Sequence, residues 1–203
     1  MIHHDDRTPT DLLIDSLAAE SYAVLPDFFA LDLIRALRLE SDLRLERGEF
    51  RPARIGQGAA LSSAPDIRSD VISWIEPKSL SAAERELFSQ LELLRVRLNR
   101  ALFLGLRDFE MHYARYAPGQ KYQRHLDRFK SDGARTVSVV IYLNENWSEA
   151  DGGILRLYPR DGAPVDAAPI AGTVVMFLSE EIEHEVLASQ TRDRLSLAAW
   201  FRR

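Results

Sequence analysis

At 203 residues, with 46% hydrophobic and 28% charged side chains, the chain has the size and composition of one soluble domain with a full core. A net charge of −5 offers no general attraction to nucleic acid or to anionic membranes. With no cysteine, disulfides, zinc–thiolate sites, iron–sulfur clusters and thiol nucleophiles are excluded. Met1 to Thr10 is polar and carries no apolar secretory segment, and no run approaches the roughly 18 apolar residues of a membrane span. A cytoplasmic protein is expected, with neither membrane nor nucleic acid as a partner. His3 and His4 belong to this polar tail and are not expected to bind a ligand.

Three stretches read as helices, all before residue 106. Thr10 is placed to cap a short helix that turns Leu13, Ile14 and Leu17 inward. Tyr22 to Leu25 reads as a strand, Pro26-Asp27 as a turn, and Leu31 to Arg47 as a second helix stopped by Gly48. Arg54 to Asp70, with Gly56, Gly58 and Pro65, is longer than a simple connector and is expected to be functional. It leads into the strand Val71 to Ile75. Ser81-Ala82-Ala83-Glu84 has the capping-box pattern. Leu87, Leu91, Leu94 and Leu98 follow at helical spacing, a core-packing stripe, with Gly105 as the expected stop.

From Asp108 the pattern turns to β. Eight strands are expected: Phe109 to Tyr116, Tyr122 to Asp127, Thr136 to Leu143, Gly153 to Tyr158, Val165 to Ile170, Thr173 to Leu178, His184 to Ala188 and Leu195 to Phe201. Turn signals at Pro118-Gly119, Asp132-Gly133, Asp151-Gly152-Gly153, Asp161-Gly162 and Ala171-Gly172 separate them. The predicted fold is mostly β with supporting helices, a double-stranded β-helix or jelly roll. One domain is expected over 1–203, with helical support mainly in 10–105 and the jelly-roll core mainly in 106–203.

Within this pattern His125 and Asp127 stand two residues apart at the end of a strand, so their side chains point the same way. His184 opens a later strand. Two histidines and one carboxylate on one ion form the triad that leaves three positions open on ferrous iron. Arg194 starts the apolar run Leu195 to Phe201. A buried arginine needs a partner, and a ligand carboxylate gripped by both arms of the guanidinium would serve. An internal ion pair is the plain alternative, and Arg192 is the competing position. His112 shares a strand face with Glu110, Ala114 and Tyr116 and reads as a buried hydrogen-bonding residue rather than a ligand.

The linked motifs Asp66-Ile67-Arg68-Ser69-Asp70 with Ser73-Trp74-Ile75-Glu76, Tyr116-Ala117-Pro118-Gly119 with Tyr122 to Asp127, Ile141-Tyr142-Leu143-Asn144 with Trp147, Gly152-Gly153-Ile154-Leu155-Arg156, and His184-Glu185-Val186 occur in one order. In them the chain resembles the Fe(II)- and 2-oxoglutarate-dependent dioxygenases. The likeness is to the prolyl hydroxylase group, which includes the hypoxia-sensing enzymes and their bacterial relatives, and it runs from about Tyr22 to Phe201. It implies Fe(II) on His125, Asp127 and His184, with 2-oxoglutarate and O2 as co-substrates and ascorbate as an accessory reductant. It also implies Arg194 and Tyr142 on the far carboxylate of 2-oxoglutarate, Tyr116 near its other end, and Arg68, Asp70 and Trp200 on the substrate side. The Arg54–Asp70 loop would be the finger that folds over a protein substrate. The implied reaction is hydroxylation of a prolyl residue at C4 in a protein or peptide, a translation factor being one candidate, with release of succinate and CO2. The His184–Arg194 spacing is one residue longer than in the hypoxia-sensing enzymes, which keeps Arg192 open as the clamp. Three other readings stand beside it: the same chemistry on a free amino acid or other small molecule, a hydrolytic or isomerising metal enzyme, and a non-catalytic metal-binding jelly roll.

Overall fold

A computed structural model describes residues 7–54, 64–127 and 134–203. The tail with His3 and His4, residues 55–63 of the Arg54–Asp70 loop, and the expected Asp132-Gly133 turn lie outside the described residues. Helix α1 spans Pro9–Glu20, α2 Leu31–Glu46 and α3 Ala82–Leu102. The cap of α1 is Thr8, two residues before the expected Thr10. Pro9 at the first helical position has its φ preset, and the Asp11 carboxylate accepts a hydrogen bond from the Thr8 backbone N–H, closing a capping box. The α3 capping box of Ser81 and Glu84 forms as predicted. Its end does not wait for Gly105: Phe103 takes the left-handed conformation at φ 53° and donates to the carbonyl of Asn99.

The early strands are β1 (Tyr22–Leu25), β2 (Arg51–Pro52) and β3 (Val71–Trp74), of which β2 was not expected. The eight later strands are all present: β4 (Asp108–Tyr116), β5 (Tyr122–His125), β6 (Arg135–Tyr142), β7 (Leu155–Tyr158), β8 (Val165–Ala167), β9 (Val174–Leu178), β10 (Glu183–Val186) and β11 (Arg194–Arg202). They form a seven-stranded sheet in the order β1-β9-β6-β11-β4-β3-β2 and a four-stranded sheet in the order β5-β10-β7-β8. The strand pairings are antiparallel, giving the jelly roll with helices on one side.

The period of two along the strands divides the core. Odd-numbered residues of β4, β6 and β11, including Met111, Tyr113, Val137, Val139, Ile141, Leu195, Leu197 and Phe201, and the even-numbered Val174 and Met176 of β9 pack against the helices, where Leu13, Leu37, Leu87 and Leu91 are fully buried. Even-numbered residues of β4, β6 and β11 face the four-stranded sheet, where Ala114, Tyr116 and Tyr142 meet Leu155, Leu157 and Val186. No described helix is long and apolar enough to cross a membrane.

Candidate functional site

The same alternation builds a cavity of about 1260 Å³. β4 contributes His112, Ala114 and Tyr116, and β11 contributes Arg194, Ser196, Ala198 and Trp200. The small sheet faces them with Tyr122, His125, Leu155, His184 and Val186. Antiparallel registers set Arg194 opposite Tyr116, Trp200 opposite Ser138, and His184 opposite His125.

His125, Asp127 and His184 converge there, with one ligand atom from each lying within 4.8 Å of the others. His125 ends β5, and Asp127 sits in the bend just beyond it rather than in the strand as expected. The exposed Leu126 still separates the two inward side chains. The Nδ1 of His125 lies 2.7 Å from the Gln123 carbonyl, and that of His184 3.2 Å from the Ile182 carbonyl. A carbonyl only accepts, so Nδ1 carries the proton in each ring and Nε2 presents a lone pair to the cavity. These Nε2 atoms stand 3.5 and 3.7 Å from the Asp127 carboxylate. Asp127 Oδ2 accepts from Ser138 Oγ at 2.7 Å and from Trp200 Nε1 at 2.8 Å. Burial alone would raise the Asp127 carboxyl, but the two imidazoles when they carry a proton, together with the Arg135 guanidinium, outweigh it and hold the pKa well below the usual range. Burial pushes His184 down to about 4 against the pull of Asp127. A carboxylate and two neutral imidazoles in a closed cluster fit a divalent transition metal with positions left open.

Arg194 lies deeper, at 1% exposure. Its Nε donates to the Gly153 carbonyl at 2.8 Å and its NH1 to Ser196 Oγ at 3.2 Å, both neutral acceptors. The guanidinium carbon sits 5.1 Å from the Tyr116 ring centre and 5.0 Å from that of Tyr142. Among the described residues no carboxylate pairs with Arg194, and the buried Tyr142 hydroxyl has no hydrogen-bond partner. Arg192 is placed differently. It donates to the carbonyls of Glu145 and Asn146 and lies over the Trp147 ring, outside the cavity lining.

On the substrate side, Arg68 lines the cavity and grips Asp70 through two bonds of 2.8 and 3.0 Å. Asp70 is buried beneath it and does not reach the lining. Trp200 forms one wall with Trp74 and His112, and Arg135 stacks on its face with the guanidinium carbon 3.8 Å from the ring centre. His112 is buried, with Nδ1 against the Tyr113 carbonyl, and is not part of the triad. Sequence reasoning missed Ser138, Ser179 behind it, and Arg135. Ser138 carried a usable signal, since it lies four residues before Tyr142 and so shares its strand face.

The model of the 2OG-Fe(II) oxygenase superfamily matches residues 111–202. A Pseudomonas putida prolyl-4-hydroxylase of known crystal structure is 44% identical, with a TM-score of 0.88 over 96% of this chain and 99% of that one. A Trichoplax adhaerens prolyl hydroxylase, solved with a peptide fragment of the hypoxia inducible factor oxygen degradation domain, is 26% identical, with a TM-score of 0.85 over 95% of this chain and 88% of that one. The hypoxia-inducible factor prolyl hydroxylase of Caenorhabditis elegans is 29% identical over 93% of this chain. The chain spans 27% of that relative's length and 46% of human Egl nine homolog 1. With the triad in its cavity and likeness at 44% identity along nearly the whole of a bacterial prolyl-4-hydroxylase, the chain belongs to the 2-oxoglutarate- and Fe(II)-dependent oxygenases.

Proposed function

We propose that the protein is a prolyl hydroxylase that uses Fe(II), 2-oxoglutarate and O2 to hydroxylate a proline within a polypeptide. The observation that carries the co-substrate is Arg194: a buried cation with neutral partners, beside an unpartnered phenol, in the same cavity as the triad. A buried charge costs free energy until it is paired. The C5 carboxylate of 2-oxoglutarate would supply that charge, and Tyr142 would be placed to donate a hydrogen bond to it as well. Arg192 is already committed to backbone carbonyls, which favours Arg194 as the clamp.

His125, Asp127 and His184 would hold the iron, which supplies oxidative decarboxylation of 2-oxoglutarate to succinate and CO2 and hydroxylation of a C–H bond. Ser138 and Trp200 bind Oδ2 of Asp127 and so fix the carboxylate's rotation. Tyr116 and Tyr142 wall off the guanidinium from water, which strengthens its hold on a carboxylate. Trp74, Trp200 and Leu126 offer an apolar mouth for a pyrrolidine ring.

Two measurements test the proposal. Succinate release should require both Fe(II) and 2-oxoglutarate and should vanish in His184→Ala while the fold persists. Mass spectrometry of lysates with and without the protein should find one polypeptide that gains an oxygen on proline. Succinate release together with a modified free amino acid and no modified polypeptide would shift the acceptor to a small molecule. Metal binding without any turnover would leave a non-catalytic module.

A further inference from the structure

His125 is the least well supported of the three triad residues. It ends a four-residue strand at the edge of the small sheet, and the β5–β10 register shifts next to it. Its side chain retains 17% exposure against 6% for His184. His184 is enclosed by the core, with Phe177 4.5 Å away. Something other than core packing must hold His125.

That support is Tyr122. Its ring lies parallel to the His125 imidazole, with centres 3.6 Å apart and planes 17° apart. The hydrogen bond from Nδ1 to Gln123 lies in the plane of the imidazole and leaves tilting out of that plane unopposed. A ring stacked on the face opposes just that motion. Tyr122 is in turn fixed by the segment before β3. Arg68 pairs with Tyr122 as an antiparallel bridge, and Gln123 donates to the Ile67 carbonyl at 2.8 Å. The Arg68 guanidinium carbon lies 4.7 Å from the Tyr122 ring centre while Asp70 grips its fork.

We infer that Tyr122 is a positioning residue for the metal site, holding the His125 imidazole at the tilt that ligation needs, with the Arg68–Asp70 pair as its backing. The inference rests on the proposed iron site but concerns residues that do not touch the metal. Removing groups that orient a metal-bound histidine typically weakens metal affinity about 10–100-fold.

Metal-depleted protein titrated with Co(II), followed by visible absorption, gives the affinity and the ligand field together. Under anaerobic conditions the charge-transfer band of the Fe(II)–2-oxoglutarate complex gives a second readout. Tyr122→Phe keeps the stack and should bind within about twofold of wild type with an unchanged spectrum. Tyr122→Leu should bind at least about tenfold more weakly, with a shifted spectrum and an unchanged melting temperature in the metal-free state. If Tyr122→Leu is unstable, the double variant Arg68→Met, Asp70→Asn carries the test, since it removes the backing without leaving a lone buried charge. A severalfold loss of affinity in the double variant supports the inference, and wild-type affinity overturns it. Wild-type affinity in Tyr122→Leu, or equal losses in Tyr122→Phe and Tyr122→Leu, would also overturn it. His125→Ala is the control for the site itself: if that variant binds Co(II) as tightly as wild type, the iron-site reading fails instead.

Discussion

Arg194 and Ser138 show how single side chains set the chemistry. Arg194→Lys keeps the charge but replaces a planar fork with a point charge on a flexible stem. Losing a charge-assisted hydrogen bond costs about 1.5–3 kcal/mol, so 2-oxoglutarate should bind about ten- to a hundredfold more weakly. Arg192→Lys should leave that affinity nearly unchanged, and a titration of both variants at saturating iron decides between them. A large loss in Arg192→Lys alone would move the clamp. Ser138→Ala removes one of the two donors to Asp127 Oδ2 while Trp200 keeps the other. Metal affinity should fall about tenfold or somewhat less, and Ser138→Thr, which restores a hydroxyl, should recover most of it. The triad cluster and the buried Arg194 could be picked out in the sequence, because histidine, carboxylate and a charged residue opening an apolar run stand out by residue type and spacing. For Ser138 the sequence offers only the strand face it shares with Tyr142, and neither its bond to Asp127 nor the role of Tyr122 was legible, because both follow from which segments become neighbours.

At the scale of elements, all eight late strands could be read from short apolar or alternating runs bounded by turn residues, the large-sheet strands as near-continuous apolar runs because both faces of that sheet are covered. Apart from the short strand β2, the misses fall at ends. Thr8 rather than Thr10 caps α1, and Phe103 rather than glycine closes α3, since a cap depends on backbone torsions set by neighbouring contacts. Gly152-Gly153 is a turn signal in the sequence and does more in the structure. A Cβ on Gly152 would stand 2.6 Å from the Ala188 carbonyl, and its φ of +66° already disfavours a side chain. A Cβ on Gly153 would press on Arg194 Cδ at 3.0 Å. Gly152 lets the turn lie against the segment leading into β11 and Gly153 against β11 itself, so that the Gly153 carbonyl accepts from Arg194. Gly152→Ala should therefore cost about 1–3 kcal/mol of stability and weaken 2-oxoglutarate binding as well. The paired measurements are a denaturant melt and a co-substrate titration. An alanine tolerated in both would show that the turn's close approach does not matter.

For the whole molecule, the cavity between the sheets keeps titratable groups in low dielectric, which ties stability to pH. Burial first, and then the charge of Arg68, lowers His112 to about 3 from an ordinary 6.5, while the Tyr113 carbonyl and Asp127 pull weakly the other way. The folded protein therefore refuses a proton that the unfolded chain accepts once the pH drops below 6.5. By linkage this contribution to stability is complete above that value and is lost progressively as the pH falls towards about 3. His184, held at about 4 when no metal is bound, adds a loss of the same sign over the upper part of that range. Metal-free protein should melt at a clearly lower temperature at pH 4.5 than at pH 7.5. His112→Gln, which keeps a donor for the Tyr113 carbonyl but cannot take up the proton, should show a smaller drop between the same two pH values. His112 is not expected to touch the metal, so the variant should bind Co(II) normally at pH 7.5, which separates its contribution from that of the triad. An equal drop in both proteins would mean that His112 does not resist protonation in the fold, and that the acid sensitivity arises in the triad or among the surface carboxylates.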